Sequence, residues 1–248
     1  MRILGIDTAT PVASVALIDE DKILAEQIYG AARSSSENSS PQPKGNHAEV
    51  ILLLIRALLD GAKHSLGDLS GIAVSIGPGS FTGLRIALAT VKGIAYECGL
   101  PVVGVSTLLA NAARADVADG VVGSLLDARK HEVYGALFRR VGTNFTRLTE
   151  DAVLPVRRFG ELLQESHAVC PLLIGNGAIA YQAQLKDCLS GAIHVSAGDE
   201  FASVAAQVAL LARERIAAHA SDDIGALAPI YLRPSEAESK RFLAPLTS

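Results

Sequence analysis

The stretch IAVSIGPGSFTGLRI at residues 72–86 decides how this chain folds. Its first residues alternate apolar side chains, as a β-strand does, and a Gly-Pro-Gly turn follows at 77–79. The next residues, SFTGLRIALATVKGIAYE (80–97), predict a helix that Ser80 caps. A strand, a glycine turn and a helix N-terminus can bind an anion through free backbone amides, or can aim the helix at another surface. The residues alone leave both interpretations open.

The composition describes a globular chain. With 248 residues, 49% of them hydrophobic, it can bury the core of one large domain or of two modest ones. A net charge of −4 and the lack of Trp argue against nucleic-acid binding by this chain alone. The three cysteines are far apart in sequence and fit reduced thiols. We therefore expect a cytoplasmic protein without a signal peptide or membrane contact.

Two segments about half a chain apart share one pattern. ILGIDTATPVASVAL (3–17) and SLLDARKHEVYGALF (124–138) each combine an apolar strand ending in aspartate, a polar turn and a returning strand. The two aspartates are Asp7 and Asp127. This similarity predicts an internal duplication, two copies of a β-meander with helices. We expect a first lobe at 1–105 and a second at 106–248.

Apolar periodicity predicts several further elements. The helix at 201–220 is expected to pack back on the first lobe. The Ser/Pro-rich run AARSSSENSSPQPKG at 31–45 has nothing to bury and predicts a mobile, solvated loop. Besides these, the pattern predicts helices at 47–60, 106–118, 158–165 and 179–187, and a last short strand at 230–233.

The helices at 47–60 and 80–97 carry more apolar surface than one sheet can cover. On each, the polar residues form a narrow stripe, which on the second helix contains Arg85, Lys92 and Tyr96. Such an excess is typical of a subunit interface. Burial of both helices inside the domain explains the same pattern, and periodicity does not decide between the two.

Candidate catalytic chemistry is confined to the strand-end aspartates. Asp7 and Asp127 stand where a carboxylate can hold Mg²⁺ or a water beside a phosphate, and Thr8 could contact that phosphate. An aspartate at a strand end also commonly bonds to the backbone of its own turn. The turn at 77–83 has neither dinucleotide-fingerprint spacing nor the Gly-Lys-Ser/Thr of a P-loop. No histidine pair has H-x-x-x-H spacing, so no zinc or iron site is expected.

The duplicated meanders resemble the actin-like ATPase (ASKHA) fold of sugar kinases and Hsp70, an α/β fold of two lobes, each with a mixed sheet and packed helices. Three stretches are more specific: residues 3–17, SIGPGSFTGLRIALATVKGIAYECGLPVVGVSTL (75–108) and PIYLRPSEAE (229–238). Together with the helix beginning His47–Ala48–Glu49, they resemble the TsaB (YeaZ) family. Its members are dimerisation subunits of the bacterial machinery that makes threonylcarbamoyladenosine in tRNA.

This resemblance implies a subunit without catalytic activity. The catalytic relative TsaD binds metal through H-x-x-x-H, and the matching positions here hold Thr107 and Asn111, which are poor substitutes for two imidazoles. It implies TsaD as partner, a TsaE-type ATPase as a further partner, and tRNA bound only through the complex. No cofactor is expected, apart from ATP or ADP at the partner interface, and a homodimer in the absence of TsaD stays open.

The resemblance places the partner interface on the helices at 47–60 and 80–97. Arg85 at that junction could reach a nucleotide or an acidic partner side chain; the nucleotide-binding candidates are Asp7, Thr8 and Arg85. Two hypotheses compete: an ASKHA-type small-molecule kinase using Asp7 and Asp127 with Mg-ATP, and a regulatory homodimer. The predicted partner contacts are Val50, Leu53, Leu54, Ala57, Leu84, Leu88 and Val91.

Overall fold

The computed structural model describes residues 1–30, 47–189, 193–196 and 203–233, so the predicted loop at 31–45 lies outside the described residues. Across these ranges no helix is both long and apolar enough to cross a membrane. The strands are β1 (Arg2–Asp7), β2 (Ala13–Asp19), β3 (Lys22–Tyr29), β4 (Gly71–Gly77), β5 (Val102–Ser106), β6 (Asp119–Asp127), β7 (Glu132–Val141), β8 (Asn144–Arg147), β9 (Ala152–Pro155), β10 (Leu172–Ile174) and β11 (His194–Val195). The helices are α1 (His47–Ala62), α2 (Phe81–Cys98), α3 (Thr107–Ala112), α4 (Val156–Glu165), α5 (Asn176–Ala180), α6 (Gln182–Cys188) and α7 (Ala205–Ala217).

The first sheet has the strand order β3-β2-β1-β4-β5. β1, β2 and β3 form the antiparallel meander, and β4 and β5 run parallel to β1. β1 and β4 read as continuous apolar runs because both faces of the sheet are covered. α1 and α2 pack on one face of this sheet, and α7 packs on the other.

The second sheet repeats this plan, in the order β11-β10-β6-β7-β8 with β9 also paired to β7. The antiparallel β6–β7 hairpin corresponds to β1–β2, and the parallel strands β10 and β11 correspond to β4 and β5. The predicted α/β architecture of two duplicated lobes, each with a mixed sheet and packed helices, is therefore confirmed.

Several local predictions are wrong. The helix expected at 106–118 ends at Ala112, because the chain must turn there to enter β6 at Asp119. The helix expected at 179–187 is two short helices that meet at Tyr181. No strand forms at 230–233, although the Ile230 N–H donates to the Ile76 carbonyl (2.7 Å). β8 was not predicted because four half-exposed residues leave little apolar pattern.

Residues 222–233, here called the C-terminal strap, connect the two lobes. Asp222 accepts a hydrogen bond from the Gly104 N–H (2.7 Å) in the first sheet. At the other end, Arg233 donates to the Ala128 carbonyl (2.8 Å) and pairs with Glu132 in the second lobe. The strap therefore passes from the edge strand β5 of the first sheet to the β6–β7 turn of the second lobe.

Candidate functional site

The turn between β4 and α2 packs tightly against the loop after β1. The Ser80 N–H donates to the Ala9 carbonyl (2.7 Å), and the Thr8 hydroxyl donates to the Gly83 carbonyl (2.6 Å). The Ser80 side chain accepts from the Gly83 N–H (3.2 Å), which confirms the predicted cap. Protein groups therefore engage the amides of Ser80 and Gly83, and these contacts fix the direction in which α2 leaves the turn.

Asp7 is buried at the end of β1, with 1% of its surface exposed. Its carboxylate accepts a hydrogen bond from the Ala9 N–H (3.3 Å), two residues on. Burial raises the pKa of Asp7 from its ordinary value of 3.8 to about 6, and the Ser75 hydroxyl and the Ala9 amide oppose this rise. Thr8 is also fully buried. Of the three predicted nucleotide-binding residues, Asp7 and Thr8 therefore do not face solvent in this structure, whereas Arg85 is exposed.

We expect Asp7→Asn to stabilise the chain at neutral pH. The folded state binds the Asp7 proton more tightly than the unfolded state, so the stabilisation present below pH 3.8 is lost as the pH rises through 6. Asparagine keeps the shape and an acceptor for Ala9 without a charge. Urea unfolding of both proteins should show a gain of about 3 kcal/mol at pH 8 that shrinks toward pH 4. A difference independent of pH would contradict this account.

Asp127, at the end of β6, repeats the turn chemistry of Asp7. Its carboxylate accepts hydrogen bonds from the Arg129 N–H (2.8 Å), two residues on, and from the Tyr181 hydroxyl (2.9 Å). The Arg129 guanidinium lies 3.6 Å away. Both strand-end aspartates thus shape their own turns. No cluster of three or more His, Cys, Asp or Glu that could hold a metal ion occurs in the described ranges.

Thr107 and Asn111 are both buried in α3. The Asn111 amide nitrogen donates to the Ser124 hydroxyl (3.0 Å) and to the Ile174 carbonyl (3.3 Å), and its oxygen accepts from Arg114 (3.1 Å). Asn111 therefore ties α3 to β6 and β10 of the second sheet. Residue spacing did not predict this structural role of Asn111, because its partners in β6 and β10 come from distant segments.

The prediction of partner contacts is wrong for five of its seven residues. Four of these five belong to the hydrophobic core between the first sheet and the two helices, and the fifth, Leu84, is fully buried beside Gly77. A partner chain cannot contact these side chains while the fold is intact. Periodicity identified helices with excess apolar surface and could not tell which part of that surface the sheet covers. The five buried residues are Val50, Leu54, Leu84, Leu88 and Val91.

The other two predicted contacts, Leu53 and Ala57, are exposed on α1. They lie on the outer side of two neighbouring helices, together with Leu52 of α1 and several residues of α2. The exposed fractions of Leu53 and Tyr96 are 49% and 87%. We call this surface the α1–α2 face and define it by Leu52, Leu53, Ala57, Ala89, Gly93 and Tyr96.

Arg85 is exposed on α2, one turn before Ala89. Its Nε donates to the Tyr231 hydroxyl (2.8 Å), and its guanidinium carbon lies 3.9 Å from the centre of the Phe81 ring. Tyr231 belongs to the C-terminal strap and to the PIYLRPSEAE stretch noted in the sequence. No pattern in the sequence predicted this contact, because 146 residues separate its two members.

Comparison with known proteins agrees with this architecture. Residues 41–240 match the family model described as TsaD: tRNA N6-adenosine threonylcarbamoyltransferase. The TsaB protein of Escherichia coli is 30% identical over 97% of this chain and 98% of its own length. The chain belongs to the TsaB family. The Bacillus subtilis TsaB protein is 29% identical over 97% of each chain.

Solved structures show the same fold as this chain. YeaZ from Pseudomonas aeruginosa superposes with a TM-score of 0.71 at 28% identity, covering 93% of this chain and 99% of the other. A ROK hexokinase from Thermus thermophilus matches with a TM-score of 0.51 at 12% identity, over 88% of this chain and the whole of the other. At that identity the hexokinase shows only a shared fold, which supports the predicted resemblance to actin-like sugar kinases.

Proposed function

We propose that this chain is a subunit for the biosynthesis of threonylcarbamoyladenosine in tRNA, and that it acts by pairing with a TsaD-type protein. The TsaD-type partner transfers the threonylcarbamoyl group to N6 of adenosine 37 in ANN-decoding tRNAs, and the present chain holds it in an active arrangement. Membership of the TsaB family, whose curated members carry this pathway in their names, supports the proposal. A TsaE-type ATPase and tRNA join through the complex, in the cytoplasm.

The α1–α2 face carries this proposal. It combines the exposed side chains of Leu52, Leu53 and Tyr96 with three small residues, Ala57, Ala89 and Gly93. A Cβ built on Gly93 would meet no atom within 4 Å, so nothing inside the chain requires glycine there. Glycine in a helix costs about 1 kcal/mol relative to alanine. Close approach of a partner helix at Gly93 explains why that cost is tolerated.

The two positions that hold metal-binding imidazoles in TsaD are Thr107 and Asn111 in this chain, which supports a subunit without catalytic activity. Thr107 is buried in α3, and the hydrogen bonds of Asn111 brace α3 against the second sheet. A hydroxyl and an engaged carboxamide are weak ligands for a transition metal. The buried, turn-bonded Asp7 gives the kinase alternative no support, since a phosphate-binding carboxylate needs access to its ligand.

The direct test mixes the full chain with a TsaD-type protein from the same organism and measures the mass in solution. A mixed species with one copy of each protein is the expected result. A persistent homodimer with no mixed species would contradict the proposal. Micromolar ATP binding by the isolated chain in calorimetry would favour the kinase alternative.

Leu53→Glu is expected to weaken this association at least about 30-fold, because a carboxylate would be desolvated in an apolar interface. The matched control is Leu148→Glu, a leucine of similar exposure in the second lobe, which should change the dissociation constant less than about twofold. Both can be measured by titration calorimetry on folded protein. Equal effects of the two substitutions would place the interface elsewhere.

A further inference from the structure

Arg85 is held unusually firmly for an exposed arginine. One face of the guanidinium stacks on Phe81, and Nε donates to the Tyr231 hydroxyl. The rings of Phe81 and Tyr231 also contact each other, with their centres 4.6 Å apart. A free arginine side chain loses rotamer entropy when a ligand immobilises it. In this chain, folding has already ordered the Arg85 side chain. A ligand that binds Arg85 therefore loses less binding free energy to side-chain ordering.

In the described part of the chain, no opposite charge pairs with Arg85. Other exposed arginines, such as Arg56, Arg129 and Arg157, pair with a carboxylate of this chain. For Arg85, no ion pair and no bond from Nη1 or Nη2 occurs within the described ranges. Four N–H donors of the guanidinium fork therefore stay available, arranged as a pair that fits two carboxylate oxygens.

The position of Arg85 connects it to the α1–α2 face. Positions 85, 89, 93 and 96 follow one another at intervals of four, four and three residues, so Arg85 and Tyr96 stand at opposite ends of one exposed stripe on α2. A partner that covers Ala89 and Gly93 therefore reaches Arg85 at the edge of the contact. A charge at this rim sets the register of the partner and its on-rate.

We infer that Arg85, clamped by Phe81 and Tyr231, binds a carboxylate of the partner chain at the rim of the α1–α2 face. This inference rests on the proposed function and adds the chemistry of one contact. Tyr231 is a positioning residue, because it acts through the Arg85 side chain. The C-terminal strap thus gains a role in partner recognition as well as in joining the two lobes.

The test measures association with the TsaD-type partner without nucleotide, at low and at high salt. Arg85→Ala should weaken binding about 10- to 100-fold and reduce its salt dependence, since a charge pair is lost. Arg85→Glu should be weaker still, because two carboxylates would then meet. The control Arg157→Ala removes an exposed, ion-paired arginine of the second lobe and should leave binding within about twofold.

Tyr231→Phe tests the clamp. It keeps the ring contact with Phe81 and removes the hydroxyl that accepts from Arg85, so we expect binding to weaken about threefold. In the Arg85→Ala background the same change should have no further effect, whereas a merely structural role of Tyr231 would add to the loss.

The outcomes separate this inference from the proposed function. No association of the unaltered chain would contradict the proposed function. Normal association that Arg85→Ala or Arg85→Glu leaves within twofold would overturn the inference alone. Equal losses from Arg85→Ala and Arg85→Glu would exclude a carboxylate opposite, and a loss seen only with ATP present would assign Arg85 to a nucleotide phosphate.

Discussion

Gly83→Ala is expected to lower the free energy of unfolding by about 3–5 kcal/mol. A Cβ on Gly83 would lie 1.9 Å from the Thr8 carbonyl oxygen, which is backbone and cannot rotate away. Either α2 or the loop after β1 must therefore move. That movement would break the hydrogen bond from the Thr8 hydroxyl to the Gly83 carbonyl as well. Such a loss is a large share of the stability of an ordinary domain.

Gly93→Ala is the matched control, since it makes the same change in the same helix. Gly93 has open space around its Cα, so alanine there should stabilise the chain by about 0.5–1 kcal/mol through helix propensity. Chemical denaturation of both variants measures the two effects. Opposite signs are expected, and a Gly83→Ala variant as stable as the unaltered chain would show that the turn does not pack as described.

Leu54→Glu is expected to unfold the first lobe or to destabilise it by at least about 4 kcal/mol. Leu54 is only 5% exposed and packs in the core between α1 and the first sheet. The substitution removes this packing and buries a carboxylate without a partner. The same result is expected for Leu88→Glu, which lies in the same core cluster on α2. Circular dichroism and urea unfolding measure these losses.

The neighbouring residue is the control for this prediction. Leu53 is 49% exposed, so Leu53→Glu should change the stability of the free chain by less than about 0.5 kcal/mol while it weakens partner association. Comparing the variants of these two adjacent leucines thus distinguishes a loss of core packing from a loss of partner binding. A Leu54→Glu variant that folds normally and fails only in association would restore the original contact prediction.

Much of the fold was predictable because it depends on local pattern. The strand ending in Asp7 and its repeat at Asp127 revealed the duplication, and both apolar helices of the first lobe were found close to their observed bounds. Ser80 was identified as a helix cap from its place before an apolar run, which is a local signal. The short elements were not predicted. β8 and the break between two helices at Tyr181 depend on contacts with other segments more than on their own residues.

The site itself was harder to predict. Whether an apolar side of a helix is buried or exposed depends on which other elements pack against it. The family resemblance, together with the apolar periodicity, predicted seven contacts, and five of them are buried inside the chain. The seven are Val50, Leu53, Leu54, Ala57, Leu84, Leu88 and Val91. The C-terminal strap was recognised as a stretch of sequence, but its contact with Arg85 was not, because no local rule joins residues 146 positions apart.

For this protein, the sequence by itself determined the duplicated α/β plan, the family resemblance and the strand, turn and helix at 72–86, since these depend on periodicity, capping and turn residues. Only the tertiary structure decided what that junction does. The loop after β1 packs against the start of α2 through hydrogen bonds from Thr8 to Gly83 and from Ser80 to Ala9, and these contacts set the direction of α2. The exposed side of α2, with Arg85 held at its edge, follows from packing, which a linear pattern does not encode.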